Sequence, residues 1–179
     1  MDKEWNAVDI LRHSRHDWLN KLQLIKGNLA LERLDRVNEI IEEIIMDSKN
    51  ESKLTNLKAP QLAALLMLFN WGERYFFLEF EILGDERNLS HLDEEITSWF
   101  IGFFNNVNNV IKPFAENNLI LSIKLSEEEI RFIFDFRGII EDKGKVIKYL
   151  QDQKNDALIK VVEYEVHNEE FVVVTQISL

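Results

Sequence analysis

Residues 12–26, Arg-His-Ser-Arg-His-Asp-Trp-Leu-Asn-Lys-Leu-Gln-Leu-Ile-Lys, hold the side chains best placed to do chemistry. At ~100° per residue, Leu11, Trp18, Leu22, Ile25 and Leu29 fall within one narrow sector of a helix. His16 lies roughly 140° round from the centre of that sector. His13, Asn20 and Gln23 share its polar side at the i−3, i+4 and i+7 spacings of helical neighbours. An exposed imidazole, with an ordinary pKa of ~6.5, is mostly neutral at pH 7 and keeps a free lone pair on one ring nitrogen. A serine in the same place needs activation by a neighbour. A phosphoryl group reacts through a loose transition state with charge spread over three oxygens. A protein attacking it has mainly to position the reactants and supply nearby positive charge. Arg15 and Lys21 are the candidates for that charge, and Asp17 for orienting the imidazole. Periodicity alone is also compatible with a His16 that is only a solvated surface residue.

Such a histidine needs a rigid element beneath it. The chain divides near residue 56, and two helical patterns stand ahead of that point. The first runs roughly from Lys3 to Leu29, with Gly27-Asn28 suiting a C-terminal boundary. The second runs from about Asp35 to Ser48, with Leu34, Val37, Ile41, Ile44 and Ile45 on one face. So short a connection predicts an antiparallel hairpin. A lone hairpin has too little interior to bury both seams. Two hairpins related by a two-fold axis close a four-helix bundle, with both copies of His16 outside. Packing of the hairpin on the chain's own second domain is the alternative that periodicity leaves open.

The order of residues adds to this. His13-Ser14-Arg15-His16-Asp17-Trp18-Leu19-Asn20-Lys21-Leu22-Gln23-Leu24-Ile25-Lys26-Gly27-Asn28-Leu29 resembles the phospho-acceptor segment of the sporulation initiation phosphotransferase B family. These are histidine phosphotransferases of the endospore-former phosphorelay. More loosely, His-Asp-aromatic-x-Asn resembles the acceptor helix of the citrate and dicarboxylate sensor kinases. The likeness continues through Leu31–Arg36, Glu42-Glu43 and Glu51–Lys58, and is strong over roughly residues 10–60. The family's acceptor is the histidine directly before Asp-Trp, which here is His16. The resemblance implies a homodimer and two response-regulator partners, one donating and one accepting the phosphoryl group. It also implies magnesium held by the regulator rather than by this chain. Arg15, Asp17, Asn20 and Lys21 are the expected supporting residues.

Composition is consistent with this reading. The 179 residues suffice for one ordinary domain or two small ones. With no cysteine, disulfides, thiolate metal sites and a thiol nucleophile are excluded. The net charge of −11 argues against nucleic acid, whose binding needs phosphates neutralised by Lys and Arg. Yet from Arg12 to Lys26 basic side chains outnumber the single acid, so an acidic partner can approach there. The start, Met1-Asp2-Lys3-Glu4-Trp5, lacks a signal peptide's apolar stretch, and the apolar run Leu62–Phe69 falls far short of the ~20 residues that span a bilayer. The expectation is a cytoplasmic protein with no membrane contact.

From Pro60 onward the pattern is α/β. Gln61–Trp71 and His91–Lys112 read as helices, with Pro60 at the start of the first and Pro113 stopping the second. Tyr75–Leu83 alternates and ends at a Gly84-Asp85 turn. Leu119–Leu125 and Ile130–Phe136 read as one hairpin, Lys160–His167 and Phe171–Ser178 as another, with a short helix over Val146–Gln151. This predicts a mostly antiparallel sheet covered on one face by helices. The outline resembles the ATP-binding domain of histidine kinases. Asn105-Asn106-Val107-Asn108-Asn109-Val110-Ile111-Lys112 matches their asparagine box in part, Asn109 standing where a kinase residue helps hold magnesium. The following Asp-x-Gly-x-Gly motif is Asp135-Phe136-Arg137-Gly138-Ile139, with Arg and Ile in place of glycines. A phosphate-cradling loop needs glycine for close approach of the backbone, and the glycine-rich lid is absent.

The remaining histidines, His91 and His167, have no partners at metal-ligand spacing. Glu127-Glu128-Glu129 and Glu163/Glu165 read as solvated acids, and Trp18, Trp71 and Trp99 as packing residues. The expectation is therefore an α+β chain in two parts. Residues 1–55 form the hairpin that dimerises into a four-helix bundle and carries the acceptor. Residues 56–179 form a degenerate histidine-kinase-ATPase-like α/β sandwich with no cofactor or metal of its own. The expected activity is phosphotransfer through His16, without ATP. A soluble ATP-dependent sensor histidine kinase and a non-catalytic regulator-binding adaptor are the two alternatives.

Overall fold

The computed structural model describes residues 6–153 and 158–178. The expected helix start at Lys3 and Trp5 lies outside them. The chain forms two units, Met1–Ser52 and Lys53–Leu179.

The first unit is helical. Helix α1, Ala7–Ala30, begins where the Asn6 side chain accepts from the amides of Val8 and Asp9, both at 3.0 Å. It runs through Gly27 rather than stopping there. One glycine costs a helix only about 1 kcal/mol, and the stop is set by Glu32, which takes a left-handed φ of 56°. The Arg33 amide then donates to Asn28 O at 2.9 Å. Helix α2, Leu34–Asn56, extends eight residues past the expected end at Ser48. Lys49–Lys53 shows no apolar period, but Leu54 is fully buried in the second unit's core, and a left-handed Lys58 ends the run.

The second unit opens with helix α3, Pro60–Leu68, which passes into a 3₁₀ turn at Phe69–Trp71. Strand β1, Phe77–Leu83, is followed by helix α4, Asp93–Val110, strands β2, Asn118–Leu125, and β3, Glu129–Arg137, helix α5, Lys143–Asp152, and strands β4, Lys160–Val166, and β5, Glu170–Ser178. The sheet order is β1-β2-β3-β5-β4. β1 and β2 are parallel, as the α4 crossover between them requires, and the other pairs are antiparallel. Alternate residues of β2, β3 and β5 point into an aromatic core. Phe100 and Phe103 of α4 meet Phe132 and Phe134 of β3 at ring distances of 5.1 and 4.5 Å. Phe136 stacks on Phe171 at 4.8 Å.

The open edge of β1 is blocked by side chains. The Asn70 amide pairs with Leu78 as a strand would, donating to its carbonyl at 2.8 Å and accepting from its N–H at 2.9 Å. Lys53 Nζ donates to Ile82 O at 3.1 Å. The start of α3 is also capped from a distance, because its own N-cap, Ala59, has no side chain to offer. Buried Asp93 accepts from the amides of Gln61 and Leu62, each at 2.9 Å. Asp93→Ala leaves one buried and one part-buried donor without this acceptor and is expected to cost about 2 kcal/mol in urea denaturation, while Asp93→Asn, which keeps an acceptor, costs less.

Among the described residues, no helix is long and apolar enough to cross a membrane.

Candidate functional site

His16 sits in the middle of α1, with its side chain 72% exposed. Two neighbours engage the same ring nitrogen. Asn20, one turn on, brings its amide within 3.2 Å of Nδ1, and Asp17 Oδ1 lies 3.5 Å from it. The Asn20 Nδ2 is a donor and the carboxylate an acceptor, so Nδ1 can accept from the first in one tautomer and donate toward the second in the other. Nε2 lies on the opposite side of the exposed ring from both contacts, and it holds the lone pair whenever the proton is on Nδ1.

The surroundings of α1 explain why the imidazole stays exposed. Ile10, Ser14, Asp17, Lys21, Ile25 and Asn28 are half-buried and at ~100° per residue form one strip, while half-buried Asp9 and His13 stand between that strip and His16. Lys21 Nζ reaches across to Asp47 Oδ2 of α2 at 3.0 Å, which fixes this strip as the side facing α2. On the part of α2 that lies in the first unit, the buried residues are Val37 and Ile40. The apolar seam of α1 lies beside this strip, and His16 falls on the far side of the helix from both.

Of the expected supporting residues, Asp17 and Asn20 meet the imidazole directly. Lys21 is turned to Asp47. Arg15 is exposed, about 100° round from His16. The Lys21–Asp47 pair joins residues 26 apart in sequence, and local spacing gives no sign of it. Glu51 belongs to the same group. Partial burial holds its carboxyl above the ordinary value, Asp47 acts in the same direction, and Lys21 opposes them.

Two of the asparagines in the box-like segment of α4 are engaged structurally. Asn105 accepts from Arg74 at 3.3 Å, Asn108 accepts from the Tyr75 amide at 2.8 Å, and Asn109 is exposed. Gly138 is needed for close packing. A Cβ there would stand 2.2 Å from Asn117 Oδ1, which accepts from the Ile139 amide at 3.0 Å. Asn117 Nδ2 in turn donates to the carbonyls of Tyr75 and Lys112. His91 is exposed ahead of α4, and His167 meets Glu165 at 2.8 Å. Among the described residues, no group of three or more histidines and carboxylates is placed to hold a metal ion.

Comparison with known proteins divides along the chain. Residues 1–57 match the family described as sensor kinase SpoOB-type, alpha-helical domain. Residues 58–178 match the family described as sporulation initiation phospho-transferase B, C-terminal. Sporulation initiation phosphotransferase B of Bacillus subtilis (strain 168) is 38% identical over 165 residues, covering 91% of this chain and 85% of that protein. Among solved structures, the catalytic domain of histidine kinase ThkA is similar over 70% of this chain and 92% of its own, at 10% identity and a TM-score of 0.44. The histidine kinase domain of the blue-light activated kinase of Erythrobacter litoralis is similar over 69% of this chain and 61% of its own, at 13% identity and a TM-score of 0.45.

Because its folded carboxyl pKa is raised, Glu51 adds stability while protonated and takes it away as pH rises through the raised value. Glu51→Gln is expected to melt higher than wild type near neutral pH, and thermal melts should show the gap closing in acid, where Glu51 is protonated.

Proposed function

The chain belongs to the sporulation initiation phosphotransferase B family, and from that premise we propose that His16 is its covalent phosphoryl carrier. The chain is a phosphotransferase of a sporulation phosphorelay. A phosphorylated response regulator brings its aspartyl phosphate to Nε2. The P–O bond breaks with its electron pair leaving on the regulator's carboxylate, as the Nε2 lone pair forms the N–P bond. The proton stays on Nδ1, where Asp17 offsets the positive charge that the ring acquires. A second regulator then takes the phosphoryl group onto its own aspartate by the reverse exchange, with no proton moved. Magnesium is held in the regulator's acidic pocket.

The observation that carries this reading is an exposed imidazole whose Nδ1 is engaged by Asp17 and Asn20. Residues 1–55 are the acceptor and dimerisation domain. Residues 56–179 steady the dimer and add to the regulator surface without a nucleotide of their own. The bonds that occupy Asn105, Asn108 and Gly138 support that last point. The protein works in the cytoplasm.

The test supplies a regulator labelled on its aspartate to wild type and to His16→Gln, then adds a second regulator. Wild type is expected to take up the label and pass it on, while His16→Gln takes up none. Labelling of His16 by ATP alone would replace this reading with a kinase. Relay by His16→Gln would replace the carrier.

A homodimer is supported by what α1 and α2 leave uncovered. Leu11, Trp18, Leu22 and Leu29 of α1 are each about half exposed or more, as is Leu34 of α2, and Ile41 and Ile45 remain open beside it. The strip that α1 turns to α2 is mostly polar. Most apolar surface of the hairpin is thus left uncovered by the hairpin itself, and a second copy would close a four-helix bundle over it. Leu22→Glu places a charge in that seam at a cost of roughly 2 kcal/mol or more per copy. Sedimentation is expected to show the dimer mass falling to that of a monomer, with a loss of helical circular dichroism.

A further inference from the structure

We propose that Arg12 is the cation on this chain that faces the phosphoryl group carried by His16; this rests on the reading of His16 as the carrier. Arg12 stands at i−4 from His16, so it lies only about 40° round the helix from it and about 6 Å toward the N-terminus. Arg15 is about 100° away on the side of the apolar seam, and Lys21 is committed to Asp47. Helical side chains lean toward the N-terminus of their helix, so a group extending from His16 covers the turn that holds Arg12 and His13. Asn20 engages Nδ1 from the opposite, C-terminal side. A phosphoryl group on Nε2 is therefore directed toward Arg12.

Arg12 is also held in readiness. Its Nη1 lies 3.4 Å from Asp9 Oδ1, and Asp9 is anchored by the N-cap, whose Asn6 Nδ2 donates to Asp9 Oδ2 at 2.7 Å. The guanidinium side chain is 66% exposed, and its single long contact with Asp9 is weak enough for a doubly charged phosphoryl group to displace. The other titratable groups within a turn on this face are His13 and Asp9, with Asp17 about 100° round toward α2, and no other arginine or lysine lies within a turn on the same face. Phosphoryl transfer gains from a cation aimed at the equatorial oxygens, and Arg12 can pair with two of them at once.

The full-length protein is phosphorylated with phosphoramidate, which breaks its own P–N bond and releases ammonia as the N–P bond to His16 forms. The phosphohistidine ³¹P resonance is then titrated with pH. A neighbouring guanidinium favours the more charged phosphate, so the midpoint in wild type and Arg15→Ala is expected to lie below that of Arg12→Ala by ~0.5 pH unit or more. Arg12→Lys recovers part of the shift, and Arg12→Gln, which keeps much of the side chain's length, moves the midpoint as Arg12→Ala does. Equal midpoints in wild type, Arg12→Ala and Arg12→Gln would overturn the role of Arg12 and leave His16 as carrier. No phosphohistidine signal in wild type, or one that persists in His16→Gln, would overturn the carrier reading itself.

Discussion

A single α-helix has only one circumference, and α1 must divide it three ways. One sector faces α2 through a polar strip and the Lys21–Asp47 pair, the next exposes an apolar seam, and what remains holds His16. Helical periodicity makes these assignments interdependent, since moving the register by one residue rotates every side chain by about 100°. The imidazole can be both rigid and accessible because two other sectors of the same helix secure it. Its chemistry then draws on two contacts to Nδ1, at 3.2 and 3.5 Å, that leave the rest of the ring uncovered.

The second unit shows the opposite economy, with most of its ordering groups hidden. Phenylalanines of α4, β3 and β5 fill the core, and three polar side chains do the joining that backbone pairing leaves undone. Asp93 completes the start of α3, Asn70 closes the edge of β1, and Asn117 ties β1, the end of α4 and the turn after β3 together. Each satisfies buried or part-buried backbone groups that would otherwise be unpaired. Burying such groups fixes geometry as well as adding stability, because a carboxamide that serves three backbone partners leaves little room for an alternative packing.

Much of this was legible in the amino-acid order, and the exceptions share a cause. Alternation located every strand of the sheet to within two residues, because one face is buried and the other wet. The seam of α1 and the exposure of His16 followed from a period of 3.6. The end of α2 did not, because Lys49–Lys53 has no apolar rhythm and the helix there is secured by Leu54. Gly27 read as a stop because glycine is a poor helix former, whereas the turn is made by Glu32. Within the site, Asn20 and Asp17 were visible as near neighbours of His16. The Lys21–Asp47–Glu51 group was not, because it joins two helices through side chains far apart in sequence.

Gly138 carries a consequence for anyone redesigning the second unit. The turn that follows β3 is stitched on both sides: Gly138 N–H to Glu169 O, Ile140 N–H to Asn168 O, and Lys112 N–H to Ile139 O, all at 2.8 Å. A loop that wraps phosphates must keep its amides unspent and pointing outward. Here those amides are already committed inward, to neighbouring carbonyls and to Asn117. Changing Arg137 and Ile139 to glycine would therefore loosen a knot rather than open a cradle, and a designer would first have to give Asn117 and the 168–169 turn other partners.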